Sequence, residues 1–279
     1  MTSGVPLVRR PAVAGQFYER DAGRLTSEIT RCFKSPLGPG SADPPKSIGK
    51  RTILGAMAPH AGYMFSGPVA AHLYRRLWGQ QPPATVVIIG PNHTGYGAGA
   101  AVTAEDFQTP LGVAEIDQKL ISDLVDDLII NDASAHAYEH SLEVQVPFLQ
   151  YIGWKSRIVP ICLALHDYES LIDVGKKLRE AIGERDDVLV LASSDMSHYV
   201  SAKVAKELDG KAIDCILALD SKRLYQTILS KNITMCGFGP VISMIEAVKG
   251  SKATLLKYAT SGDVQPMQDV VGYASITIE

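Results

Sequence analysis

The chain has 279 residues, 46% of them hydrophobic, and a formal net charge of −3. That is long enough for a sizeable core, and the near-neutral balance leaves no electrostatic footprint for nucleic acid. The pairs Arg9-Arg10, Arg75-Arg76 and Lys176-Lys177 are short and read as solvated surface.

Met1 to Arg10 has no apolar core ahead of a cleavage site, and no window holds ~18 consecutive apolar residues, so neither a signal peptide nor a membrane span is expected. The four cysteines, Cys32, Cys162, Cys215 and Cys236, are far apart and form no C-x-x-C pair. Free thiols without a leader lead us to expect a cytoplasmic protein.

In chain order, the spacing of Leu25, Ile29, Cys32 and Phe33 predicts a helix. Residues 34–50 are rich in Pro, Gly, Ser and Lys and read as an exposed loop. Ile53 to Ala58 is the first apolar run. Pro68 is placed for the first turn of a helix carrying Val69, Leu73 and Leu77. Val86 to Ile89 is a second run, and Leu120, Leu124 and Leu128 mark a helix. Ile158 to Leu163 is a third run, followed by a helix with Leu171, Val174, Leu178 and Ile182 and with Asp167 near its start. Val188 to Ala192 is the fourth run. A short helix holds Leu224 and Ile228, and the last runs from Gly239-Pro240 to Gly250. Val270 to Ile278 reads as a strand nearer an edge. Continuous apolar runs alternating with helices predict a single α/β layered domain over residues 1–279 with a mostly parallel central sheet.

Ligands of such sheets bind outside the carboxyl ends of the strands. There the chain places Pro59-His60-Ala61-Gly62, Gly90-Pro91-Asn92-His93 and Ser193-Ser194-Asp195-Met196-Ser197-His198. One such histidine would pass as a hydrogen-bonded structural residue. Three of the chain's seven, at equivalent places, mark a shared metal-binding pocket. Imidazole suits iron, zinc, copper and nickel alike, so the histidines leave the metal open. Asp195 is placed to ligate, to orient an imidazole, or to cap a following helix. Cys236 lies among glycines before the last helix, where a helix N-terminus lowers a thiol pKa. His140 and Glu143 would share a face if their segment is helical, as substrate, proton-shuttle or supporting groups. His72, His136 and His166 read as structural or surface residues.

The segments RRPAVAGQFY (Arg9–Tyr18), APHAGYMFSG (Ala58–Gly67), the GPNH turn, EHSLEVQVPFL (Glu139–Leu149), SSDMSHY (Ser193–Tyr199) and CGFGP (Cys236–Pro240) together resemble the MEMO family. The resemblance implies a fold similar to class III extradiol dioxygenases, which use non-haem Fe(II). It implies His60, His93 and Cys236 as metal ligands, with iron or copper as the metal; we expect Fe(II) first, with copper, or zinc from the donor set itself, as alternatives. It implies His198 as acid/base residue beside Asp195; on our own reading His140 and Glu143 would line the mouth toward a small, aromatic or peptide ligand. Eukaryotic relatives are mediators of cell motility that bind phosphotyrosine peptides. Prokaryotic relatives are associated with an AMMECR-type and a radical-SAM protein. The dioxygenases complete their site with a carboxylate where Cys236 stands, so the resemblance leaves three readings: a metal-dependent redox enzyme, a binding module, or a zinc hydrolase.

Overall fold

A computed structural model describes residues 7–279. The chain begins with β1 (Val8–Arg9), α1 (Ala22–Lys34), β2 (Gly55–Ala58), α2 (Tyr63–Trp78) and β3 (Thr85–Pro91). It continues through β4 (Ala100–Val102), β5 (Asp106–Thr109), β6 (Gly112–Ala114), α3 (Gln118–Leu124), β7 (Ile130–Asn131) and α4 (Val146–Tyr151). Then come β8 (Arg157–Leu163), α5 (Tyr168–Ile182), β9 (Val188–Ser193), β10 (His198–Val200), α6 (Ala202–Leu217) and α7 (Ser221–Lys231). The chain closes with α8 (Phe238–Ala247), β11 (Ala253–Thr260), a single turn α9 (Ser261–Val264) and β12 (Val270–Ile278).

The four apolar runs form the parallel core of one large sheet, in the order β2-β9-β3-β8. Every residue of β2, β3 and β9 is buried, which requires cover on both faces. α8, with α5 packed on it, lies over β9, β3 and β2; α2, with α1 packed on it, lies against β2, β11 and β12. Antiparallel pairings flank the core: β12 pairs β2 and carries β10 and β11, while β4 pairs β8 and carries β7 in a parallel pairing. A separate small sheet joins β1, β5 and β6. The fold is thus a single mixed α/β domain around a large sheet with a parallel core.

Local chemistry explains the helices. Asp21 caps α1, accepting from Arg24 N, and its apolar stripe Leu25, Ile29, Cys32 and Phe33 is buried. Each such side chain contributes roughly 1.5–3 kcal/mol by burial. Asp167 caps α5 as its position suggests, accepting from Ser170 N. α2 departs from expectation: it starts at Tyr63, five residues early, and leaves Pro68 in its interior. Tyr63 N finds its acceptor at Phe17 O and Ser66 Oγ donates to Ala61 O, so tertiary contacts begin the helix before the proline. α3 ends at Leu124, because the Val125 backbone is extended and Leu128 falls outside it. The last helix spans Phe238–Ala247 rather than reaching Gly250. Among the described residues, no helix is long and apolar enough to cross a membrane.

Register sets the site. Ala58 pairs with Ser193, Met57 and Ile89 both pair with Ala192, and Pro91 pairs with Leu163. The carboxyl ends of β2, β9, β3 and β8 are therefore level, and the turns leaving them share one edge.

Candidate metal centre

At that edge, potential ligand atoms of His60, His93 and Cys236 lie within 4.8 Å of one another. The His60 and His93 rings are 5.2 Å apart and nearly perpendicular, and Cys236 Sγ is 3.2 Å from His60 Nε2. Beside them opens a cavity of about 360 Å³, lined by His93, Leu165, His166, Ile233, Cys236 and Phe238 among others. His166, which reads in the sequence as a structural or surface residue, lies in this lining.

Hydrogen bonds decide which nitrogen each imidazole offers. The Ser193 hydroxyl has one proton, and it goes to Ser141 O at 2.6 Å. Ser193 Oγ must then accept from Gln145 Nε2 at 2.8 Å and from His60 Nδ1 at 2.9 Å. His60 Nδ1 therefore carries the proton, and Nε2 faces Cys236 with a free lone pair. His93 Nδ1 donates to Glu139 Oε1 at 2.9 Å, and His93 N donates to Glu139 Oε2 at 2.6 Å. Glu139 is ionised: burial pushes its carboxyl up, but the His93 hydrogen bond and neighbouring charges outweigh that and hold it at about 2. His93 thus also presents Nε2, in the carboxylate–histidine arrangement that metal sites use.

Electrostatics favour neutral rings. Burial, reinforced by the neighbouring imidazoles His140, His93 and His198, holds His60 well below its ordinary range. Burial likewise lowers His140 to about 4. The His140 ring stacks on His93 at 4.5 Å and meets Phe17 at 4.6 Å with the rings tilted, so it does reach the pocket. Cys236 behaves differently from the expectation of an acidified thiol. Gly237 caps α8, yet burial pushes the thiol up and Asp195 adds to the shift. The sulfur keeps its proton until a cation displaces it.

Three further residues lie apart from their expected roles. Glu143 does not line the mouth: it is fully buried, with Oε2 paired to Arg9 and accepting from Ala12 N, while Oε1 accepts from Val13 N and Tyr18 Oη. His140 lies in irregular backbone ahead of a turn at residues 141–142 and the tight helical turn starts only at Glu143, so the two do not share a helical face. Asp195 accepts from His60 N at 2.7 Å and Ala61 N at 3.3 Å, so it caps the His60 turn rather than orienting His198. Burial raises its carboxyl to about 6. The His198 ring is held by Thr234, whose carbonyl accepts from Nδ1 at 2.8 Å, leaving Nε2 without a protein partner among the described residues. His136 is buried, with Nε2 bonded to Ala101 O. Ser193, Gln145, Glu139 and Thr234 went unread; the signal for the first three was their place in the same segments as the histidines, and for Thr234 its place two residues before Cys236.

The donor set fits a metal. Ions of this class bond imidazole nitrogen and thiolate at roughly 2.0–2.3 Å, so ligand atoms grouped this closely need only rotamer-scale movement to meet one ion. Two locked Nε2 lone pairs and a thiol form a coherent set for iron, copper or zinc.

Fold and site together define a single-domain α/β protein with a His, His, Cys group at the carboxyl edge of its parallel strands. The chain belongs to the Memo family: residues 9–277 match the family described as Memo-like protein. MEMO1 family proteins of Methanopyrus kandleri and Methanothermobacter thermautotrophicus are each 46% identical to it, covering 96% and 97% of this chain and 98% and 100% of their own lengths. That of Methanosarcina mazei is 44% identical and covers 98% of this chain and 99% of its own. The crystal structure of an uncharacterized protein from Escherichia coli K12 is similar in fold, with a TM-score of 0.57 at 15% identity, over 81% of this chain and 100% of that one.

Proposed function

We propose that the protein is a metal-dependent redox enzyme, with Fe(II) held by His60, His93 and Cys236 and a small aromatic molecule as substrate. One observation carries this reading: two imidazoles, each held through Nδ1 with Nε2 left for a ligand, converge on a thiol at the mouth of a cavity. When bound, iron with three protein ligands supplies open coordination positions for dioxygen and substrate. His198 supplies the base: Nε2 is free to take a proton from a substrate hydroxyl, and the Thr234 carbonyl keeps the opposite N–H engaged as the ring becomes cationic. The apolar walls Leu165, Ile233 and Phe238 seat an aromatic ring and exclude water.

The test is anaerobic loading with Fe(II), followed by exposure to oxygen and a panel of catechols while oxygen uptake and ring-opened product are followed. Turnover that is lost in His60→Ala and His198→Ala, with iron still bound in the latter, is the expected result. An absence of oxygen uptake at full iron or copper occupancy overturns the redox reading. A second reading, a zinc hydrolase, draws on the same donor set, since two histidines and a cysteine with an open position also suit catalytic zinc. Metal analysis of protein from native cells separates the two.

A further inference from the structure

We propose that Arg9 and Glu143 are positioning residues for the metal centre, acting on His93 through Glu139. The proposal rests on the reading of His60, His93 and Cys236 as ligands.

All three nitrogens of the Arg9 guanidinium are engaged, and its side chain is buried. Nη1 donates to Glu143 Oε2, Nε to His136 O and Nη2 to Glu139 O, each at 2.7 Å. One side chain thus grips the segment 136–143 at its start, its middle and its end. The Glu143 carboxylate returns the grip, accepting from Ala12 N at 2.7 Å, Val13 N at 3.1 Å and Tyr18 Oη at 2.6 Å. Between the held points sits the Glu139 carboxylate, which receives both the backbone N–H and the Nδ1–H of His93. A displaced segment would move the group that sets both the plane and the tautomer of His93.

Stability alone does not account for this arrangement. A buried ion pair is often replaceable by apolar groups at no cost, because the desolvation of two charges offsets their attraction. What an apolar pair cannot supply is a rigid planar fork with three fixed bond directions, and neither can lysine. Arg9 is more than 125 residues distant in sequence from each group it holds, so no local requirement places it there.

The test uses the full chain and Co(II) as the probe, whose visible absorption reports its ligands. Wild type, Arg9→Lys and the double variant Arg9→Met/Glu143→Gln are titrated, with affinity read by chelator competition and folding by denaturant melts. Arg9→Lys keeps the charge opposite Glu143 but loses the fork; the double variant leaves no buried charge unpaired. Both are expected to remain folded, to bind Co(II) ~10–100-fold more weakly and to show an altered spectrum. Glu139→Gln is expected to give a similar loss, and Arg9→Lys/Glu139→Gln no more than either change alone, because both act through one contact. Folded variants with wild-type affinity and spectrum overturn the proposal, as do additive losses. If wild type takes up no Co(II), the metal-centre reading itself fails, and the proposal with it.

Discussion

Ser193 Oγ sits 2.9 Å from His60 Nδ1 and has no proton to give it, because that proton is committed to Ser141 O. A single hydroxyl thereby chooses the tautomer of a ligand candidate in the turn after β2, the first strand of the parallel core. Ser193→Ala removes the choice. We predict a metal affinity lower by ~10–100-fold, measured by chelator competition. A stability loss of about 1–3 kcal/mol is predicted in urea, since Gln145 and Ser141 O each lose a buried partner.

Binding of a divalent ion must expel the Cys236 proton, because burial holds the thiol protonated at neutral pH. Calorimetric titration in buffers of different ionisation enthalpy is predicted to register about one proton released per ion. Cys236→Ser should abolish the thiolate-to-metal absorption of the Co(II) form. Removing metal from protein held at 100 times its dissociation constant should lower the apparent unfolding free energy by about 2.7 kcal/mol.

His198→Ala is predicted to leave metal content unchanged and to reduce turnover by ~10²–10⁴-fold, the usual contribution of a general base. Thr234→Val removes the hydroxyl that accepts from His198 N while keeping the carbonyl that holds Nδ1. Its turnover should lie between the wild type and His198→Ala, read in the same oxygen-uptake assay.

The acid limb of stability has a calculable sign. Burial, then the charge of Arg9, lowers His136 from an ordinary value near 6.5 to about 4. Between those values the unfolded imidazole takes a proton that the folded one refuses. Stability should therefore be flat above about pH 6.5 for this group and fall by roughly tenfold in the folding equilibrium per pH unit down to about 4. His60 and His140 shift in the same sense and share the limb. Urea titrations of chelator-treated protein should show a shallower limb in His136→Gln, not a vanished one.

Gly237 has a close neighbourhood: a Cβ there would collide with Ser193 O and the Ser194 side chain. Gly237→Ala is predicted to cost about 1–3 kcal/mol by overpacking and to displace Cys236. Thermal melts and Co(II) spectra check the two effects separately.

His60 and His93 were readable because each closes a continuous apolar run, and a parallel strand buried on both faces has to be such a run. Cys236 was readable as a cysteine between elements, unlike Cys162 and Cys215, which pack inside β8 and α6. The partners were not readable. Glu139 meets His93 across 46 residues, and Ser193 meets His60 across 133, so no local spacing encodes either contact. Glu143 misled because a His and a Glu three apart imitate a helical face, while the need of a buried Arg9 for a counter-charge decided where it points. Pro68 misled because it favours a first turn, and Phe17 O had already begun the helix at Tyr63. α6 was passed over because its buried face includes Ala205, Ala212 and a buried Asp209, which give a weak apolar period.

The strand order carries a consequence for how the protein is made. β9 lies between β2 and β3, so the two histidine-bearing strands become neighbours of a common strand only after residue 193 has been synthesised. Cys236 comes later still. No nascent fragment that stops short of Cys236 can assemble all three donors. Under the proposed metal reading, the complete donor set therefore exists only late in synthesis.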